Sequence, residues 1–392
     1  MPTRRRAPLA GLAAACLLAA RLLAACLLAA CAGERRDGPG GSDVPAWTVD
    51  PAPLLTIGGE TDDPASALER VGDVLRLRDG RIVVVNGSAE LRFHTADGRL
   101  AVTQGRQGRG PGEYRGIYGI ARLPGDSVAV FDGLAGRLSI VDPQGRFARA
   151  VRIPPPGARL VGALADGSVV VGPRARQWVP AGGETETSEF LYYRVPSGGD
   201  SAVTLAAVPG SRHFVVRFPD GGQGQRDLPF AAAPSAAVGD SLFFVTAGAD
   251  YVIHVHTPDG RRVRTITLPR SPVPVTDADL ARYRADRLAE LASSPREQRL
   301  FETIFARMPK PEHFPAIGDL IVDDDGWLWV QDYPRTSDGP QSWTVLDATG
   351  AVLATATTPP GLHVRRIGRD YVLGVARDTL DLERVVLHAL RR

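Results

Sequence analysis

The chain has 392 residues, with 46 lysines and arginines against 44 aspartates and glutamates and a formal net charge of +2 at pH 7. That near balance gives no electrostatic footprint for nucleic acid, and it becomes about −2 once Arg4, Arg5, Arg6 and Arg21 leave with the N-terminal segment. The only cysteines are Cys16, Cys26 and Cys31, so the remainder of the chain forms neither a disulfide nor a thiol-based site.

The N-terminus reads as an export signal. A basic start precedes an alanine- and leucine-rich stretch ending in Leu28-Ala29-Ala30-Cys31, which resembles a bacterial lipobox. Residues 1–30 are therefore predicted to be a lipoprotein signal peptide, with Cys31 the lipidated first residue of the mature chain. The alternative is an uncleaved membrane helix, but Arg21 in mid-span costs about 2.5–3.5 kcal/mol on insertion scales. A second match, Leu23-Ala24-Ala25-Cys26, lies upstream; Cys31 is preferred because the glycine-rich residues 31–45 read as a flexible tether. Ala32 is not the aspartate that retains lipoproteins at the inner membrane. The expectation is therefore a protein anchored by lipid to the cell envelope, on the outer membrane facing the periplasm in a Gram-negative host.

Residues 46–392 alternate short β-rich runs with tight turns. Strands are expected at 73–78, 81–86, 90–95 and 99–104, with Asp79-Gly80 and Ala96-Asp97-Gly98 suited to hairpins that require positive φ. The pattern recurs at 117–153, 160–208, 235–268 and 317–357, the third unit being interrupted by segments read as long loops. The last unit, 362–389, lacks one strand, while 54–57 is a strand without a unit. Placing that orphan on the last sheet closes a ring and removes two open edges. With Gly105-Arg106-Gln107-Gly108-Arg109-Gly110-Pro111-Gly112-Glu113-Tyr114 and Asp323-Asp324-Asp325-Gly326-Trp327-Leu328-Trp329-Val330, the chain resembles six-bladed β-propeller lipoproteins related to NHL-repeat and TolB-like propellers. The resemblance implies an all-β, six-bladed propeller closed by an N-terminal strand. One segment breaks the pattern. Thr276-Asp277-Ala278-Asp279 and Ser294-Pro295-Arg296-Glu297 open two helices, so a helical insertion at about 276–309 is expected between blades four and five. Leu300, Phe301, Ile304, Phe305 and Met308 form its apolar stripe, which suits a clip, a lid or a docking surface.

In such a ring the first-to-second and third-to-fourth turns share one face. Every long connection falls on the other, at 105–116, 173–188, 209–234, 269–316 and 333–340. Binding is expected there. Arg106, Arg109, Glu113, Tyr114 and Arg115 are candidates for holding a carboxylate or phosphate, against a purely structural role for this glycine-rich crossing. Trp178 is a candidate for stacking on a sugar or peptide. Asn86, Asp132 and Asp332 end second strands, where they either ring the channel as oxygen ligands of a divalent cation or cap loops. His254 and His256 alternate on one strand without a third ligand nearby.

No nucleophile elbow, zinc-binding helix motif or P-loop is present, and the glycines at 108, 110 and 112 do not open a helix. The expected function is a non-catalytic binding or scaffolding propeller with no resident cofactor, its ligand a protein, peptide or carbohydrate. The alternative is a channel-centred, metal-dependent lactonase, hydrolase or lyase.

Overall fold

The structure, a computed structural model, describes residues 44–59, 67–153, 159–182, 185–199, 201–217, 223–336 and 338–392, the side chains of 174–182, 217 and 223 excepted. Cys31, the signal segment and most of the tether lie outside these residues. Among the described residues, no helix is long and apolar enough to cross a membrane.

Strand β1 (Ala46–Gly58) precedes a series of antiparallel sheets whose strands pair in chain order. The first holds β2 (Val71–Arg76), β3 (Ile82–Asn86), β4 (Glu90–His94) and β5 (Leu100–Gln104). The second holds β6 (Ile117–Arg122), β7 (Val128–Asp132), β8 (Arg137–Val141) and β9 (Phe147–Arg152). In the third lie β10 (Arg159–Ala163), β11 (Val169–Gly182), β12 (Thr185–Val195), β13 (Val203–Arg217) and β14 (Gln223–Asp227). The fourth comprises β15 (Ser235–Val238), β16 (Phe243–Thr246), β17 (Val252–His256) and β18 (Arg262–Thr267). Helices α1 (Asp277–Glu290) and α2 (Pro295–Arg307) follow. The chain ends with a fifth group, β19 (Ile317–Val322), β20 (Leu328–Asp332), β21 (Gln341–Leu346) and β22 (Val352–Thr358), and a last group, β23 (His363–Ile367), β24 (Tyr371–Arg377) and β25 (Glu383–Arg391).

The second strand of each group explains the packing. Strands β3 (Ile-Val-Val-Val-Asn) and β7 (Val-Ala-Val-Phe-Asp) are buried along their whole length, so they read as unbroken apolar runs instead of the alternation of a one-sided sheet. Their side chains still alternate between faces. Val83 and Val85 join a cluster with Ile120, Val128 and Val130 of the next sheet, whereas Ile82 and Val84 join one with Leu373 and Val375 of the last. Further along, Ala129 and Phe131 of β7 meet Val169 and Val171 of β11, and Trp329 of β20 meets Val372 of β24. Each sheet is thus packed face to face between two neighbours, and the last against the first. The first strands approach one another in the same cyclic order, β2, β6, β10, β15, β19, β23 and back to β2.

Strand β1 is placed as its orphan status predicted, and it does more. From Pro53 to Gly58 it pairs antiparallel with β25, supplying the missing strand of the last group. Before a register shift, Ala46–Thr48 pair in parallel with Thr355–Thr357 of β22, which fuses the last two groups into one eight-stranded sheet. Arg392 locks this seam. Its guanidinium lies 4.9 Å from the Trp47 ring and 4.5 Å from the Trp327 ring, and it donates to Asp323 at 2.8 Å.

The third sheet departs from expectation. Segments 173–188 and 209–234, read as loops because of their prolines and glycines, largely continue the strands: β11 and β12 run on as a long hairpin, and β13 extends to pair with β14. The helices form where predicted. Thr276 and Asp279 make the capping box of α1, and Ser294 caps α2. Ile304, Phe305 and Met308 are buried against Phe214 and Val216 of the extended β13, with Tyr283 and Phe301 alongside, so the apolar stripe covers this extension except for Leu300, which stays exposed.

Removing residues through Gly58 uncovers the edges of β22 and β25 and withdraws buried Val49 and Ile57. The expected loss is at least about 3 kcal/mol for these two side chains alone, and thermal melting should show it across the whole molecule. A truncated protein that melts with the full chain would show that β1 is not the closing element.

Candidate functional site

The first strands surround a cavity of about 1070 Å³ that opens where the longer connections lie. Their walls are made close by glycine. Gly119 sits at φ +137, where a Cβ would lie 3.0 Å from that of Leu160, so a larger residue would force the neighbouring strands apart. Most of these strands also carry a register shift against their partner, at Val71/Asp73, Ile117/Ile120, Leu160/Gly162, Ile317/Leu320 and Val364/Arg366. As edge strands of their sheets, they also have N–H groups with no ladder partner on the cavity side.

Two aspartates fill that need. Asp73 accepts from its neighbour Val74 N–H at 2.8 Å and from Ile120 N–H of the next sheet at 3.0 Å, and it pairs with Arg366 at 3.2 Å. Asp319 accepts from Leu320 N–H at 2.8 Å and from the Ser235 hydroxyl, on the preceding sheet, at 2.5 Å. Both stitch first strands together. They occupy equivalent places in Val71-Gly72-Asp73-Val74-Leu75 and Ile317-Gly318-Asp319-Leu320-Ile321, a repeat legible in the sequence but not singled out as a site. Burial raises the Asp319 carboxyl above its ordinary value, against the opposing pull of the Ser235 and Leu320 hydrogen bonds and of Arg365 and Arg366.

The cations of the cavity are less committed than its acids. Glu383 accepts from Val71 N–H at 2.6 Å and from Arg377 at 3.2 Å. Arg366 is spent on Asp73, the Ile120 carbonyl and the Arg365 carbonyl. Arg70, Arg159 and Arg365 also line the cavity, and their guanidinium groups have no hydrogen-bond or ion-pair partner among the described residues. The Arg365 Nε is buried in that state, as is the Tyr192 hydroxyl in the same wall. A buried polar group left unpaired costs about 1–3 kcal/mol, so the cavity wall carries polar groups that its own fold does not satisfy. At the opposite end a second cavity, of about 670 Å³, is lined by Asp323, Asp324 and Asp325, which are held by Arg392, Arg122 and Arg369.

The glycine-rich connection is organised around Glu113. Its carboxylate accepts from Arg109 N–H at 3.0 Å, Gly110 N–H at 2.8 Å and Arg106 at 2.7 Å, and the Gly110 N–H first, then Arg106, holds it below its ordinary range. Arg137 donates from beneath to the carbonyls of Arg109, Gly110 and Glu113. Tyr114 is fully buried, its hydroxyl donating to Gln104 at 3.2 Å and its ring packed on Gly105. Arg106, Glu113 and Tyr114 thereby hold the crossing in shape, while Arg109 and Arg115 stay exposed. Trp178 lies outside the described side chains.

Asn86, Asp132 and Asp332 sit at strand ends as expected, each engaged locally. Asn86 accepts from Glu69 N–H at 2.9 Å and donates to Glu90 at 3.0 Å. Asp132, wholly buried, accepts from the N–H groups of Arg115, Gly116 and Ala135. Asp332 takes the Arg270 guanidinium; burial raises its carboxyl and Arg270 opposes the rise. Among the described residues, no group of three or more His, Cys, Asp and Glu side chains is disposed to hold a metal ion. His256 engages the Gly260 carbonyl at 3.2 Å and His254 the Thr265 hydroxyl at 3.2 Å, so the pair turns to its own hairpin.

No family model matches the chain, and no curated protein matches it in sequence. Among solved structures it is similar to a member of the DUF4221 family from Bacteroides vulgatus, at 9% identity and a TM-score of 0.50, covering 88% of this chain and 97% of the other. The chain is a β-propeller. A Bacteroides fragilis protein named as a candidate exported protein is similar at 12% identity and a TM-score of 0.46, covering 88% and 98%. A gluconolactonase from Xanthomonas campestris is similar at 13% and 0.42, covering 87% and 99%. These identities speak to fold alone. In this propeller the cavity of about 1070 Å³ is the mouth of the central channel.

Asp319 gives the channel a pH signature. Because its folded-state pKa lies above its ordinary 3.8, the folded protein holds this proton more readily than the unfolded chain, and stability falls as pH rises from 3.8 through the folded-state value. Asp319→Asn keeps the oxygen that accepts from Ser235 and Leu320 and removes that fall. The variant should melt at or above the wild-type temperature at neutral pH, with the advantage shrinking towards about pH 4. Parallel pH profiles would show that Asp319 ionises without penalty.

Proposed function

We propose that the protein is an exported, lipid-anchored, six-bladed propeller that binds a partner through the channel mouth and the long connections around it, without chemistry of its own. The observation that carries this reading is the state of the channel groups. Acids that would serve as base or metal ligand are occupied by backbone N–H groups and arginines, while the mouth is wide and rimmed by exposed connections. A rigid ring with one elaborated face suits recognition of a protein, peptide or carbohydrate at the envelope. Support for the six-blade count comes from the cyclic order of the first strands and the β1 closure.

Two experiments test the reading. Cys31→Ser should abolish incorporation of an alkyne fatty acid, and label persisting on a form beginning at Cys26 would move the anchor upstream. Replacing exposed Arg109 and Arg115 by Ser should weaken capture of envelope partners with little change in melting, because surface substitutions alter stability by about 0.5 kcal/mol each. The matched change at the tight-turn face, Arg99 and Arg261 to Ser, should leave capture intact. The reverse pattern would transfer the working face to the other side of the ring.

A further inference from the structure

The channel mouth carries an imbalance that its structural role does not explain. Arg70 precedes the first sheet, Arg159 opens the third and Arg365 lies in the last, yet all three line one cavity. None makes a hydrogen bond or ion pair with a described residue, Arg365 acting on Asp319 only through its field, and the Arg365 Nε is enclosed with no acceptor. The acids of the same walls are taken: Asp73 by Arg366 and two backbone N–H groups, Asp319 by Ser235 and Leu320, Glu383 by Val71 and Arg377. The lining also carries more cations than anions, with Arg70, Arg122, Arg159, Arg365 and Arg366 against Asp73, Asp319 and Glu383, so the net charge around the cavity is positive. Enclosure by protein walls strengthens such a field and concentrates counter-ions. The buried Tyr192 hydroxyl adds a donor to the wall with nothing to receive it. A guanidinium presents a planar fork that matches a carboxylate or phosphate with two parallel hydrogen bonds, a fit that a neutral ligand does not offer.

We propose that the channel mouth is a binding site for a small organic anion bearing carboxylate or phosphate groups, gripped by Arg365 in the wall and by Arg70 and Arg159 at the entrance. This rests on the reading of the protein as a binding propeller and names the ligand class of that site. The cavity, about 1070 Å³, has room for a molecule well beyond a bare ion.

Citrate and inorganic phosphate are the probes, with sucrose as a neutral control, measured on the full chain by isothermal titration calorimetry and thermal melting. Citrate should bind and raise the melting temperature, less so at high salt, and sucrose should do neither. Arg365→Gln should weaken citrate binding by about tenfold or more, the loss of one charge-assisted contact, while Arg109→Ser with Arg115→Ser leaves it unchanged. Should Arg365→Gln fail to fold, Arg70→Ser with Arg159→Ser provides the same test from the rim and should weaken binding severalfold. Failure of the wild-type protein to bind either anion, or equal binding by a folded channel variant, overturns the proposal. The two readings fail separately. If the Arg109 and Arg115 substitutions still abolish partner capture while no anion binds, the binding face stands and the anion site falls. If anions bind through Arg365 but capture is insensitive to the loop face, the small-ligand site stands and the partner-binding reading falls.

Discussion

Everything in this molecule depends on second strands that are buried on both sides. A strand such as β3 gives Val83 and Val85 to one apolar cluster and Ile82 and Val84 to another, so each sheet is wedged between two neighbours. Burial of an aliphatic side chain of this size contributes about 1.5–3 kcal/mol, and it is realised here only when the neighbouring sheet is present. The clusters join successive sheets around the molecule, and the cluster of Val74, Ile82 and Val84 with Tyr371, Leu373 and Val385 returns the last sheet to the first. Stability is therefore held in common, and with no disulfide after Cys31 there is no covalent substitute for it.

That geometry gives β1 and β25 a structural task. Strand β1 completes the last group, bridges to β22 and brings Trp47 to the place where Arg392 rests between two tryptophans. The same ring produces the channel. First strands converge around one axis, glycines such as Gly119 let them approach, and as sheet edges they present backbone N–H groups that donate to Asp73 and Asp319. Channel carboxylates thus serve the scaffold, while Arg70, Arg159 and Arg365 are left facing the cavity. On the same side, β11 to β14 and the two helices build an extension with its own apolar seam at Phe214, Val216, Ile304, Phe305 and Met308.

Much of this was legible in the sequence, for local reasons. Turns were marked by glycines that adopt positive φ, such as Gly80 at +90° and Gly326 at +82°, and the helices by Thr276 with Asp279 and by Ser294. The orphan strand at 54–57 found its place by counting. The third sheet was misread because Pro173, Pro180 and Pro209 weaken strand propensity, yet long paired strands carry them once each side of the hairpin has a partner. Among the candidate residues, Glu113 and Tyr114 proved to organise their own loop, since a glycine-rich crossing needs a fixed acceptor and a buried anchor as much as a ligand does.

Outside the third sheet, the sequence by itself determined the strands, the turns, the helical insertion and the requirement for a closing strand, because each follows from side-chain period, capping or positive φ within a few residues. Only the tertiary structure decided which side chains meet. Asp73 and Asp319 repeat a short pattern in the chain, but their partners Ile120, Arg366 and Ser235 lie on other sheets. Three arginines spread from 70 to 365 share one cavity because ring closure brings distant first strands around a common axis, a condition that no local window of sequence contains.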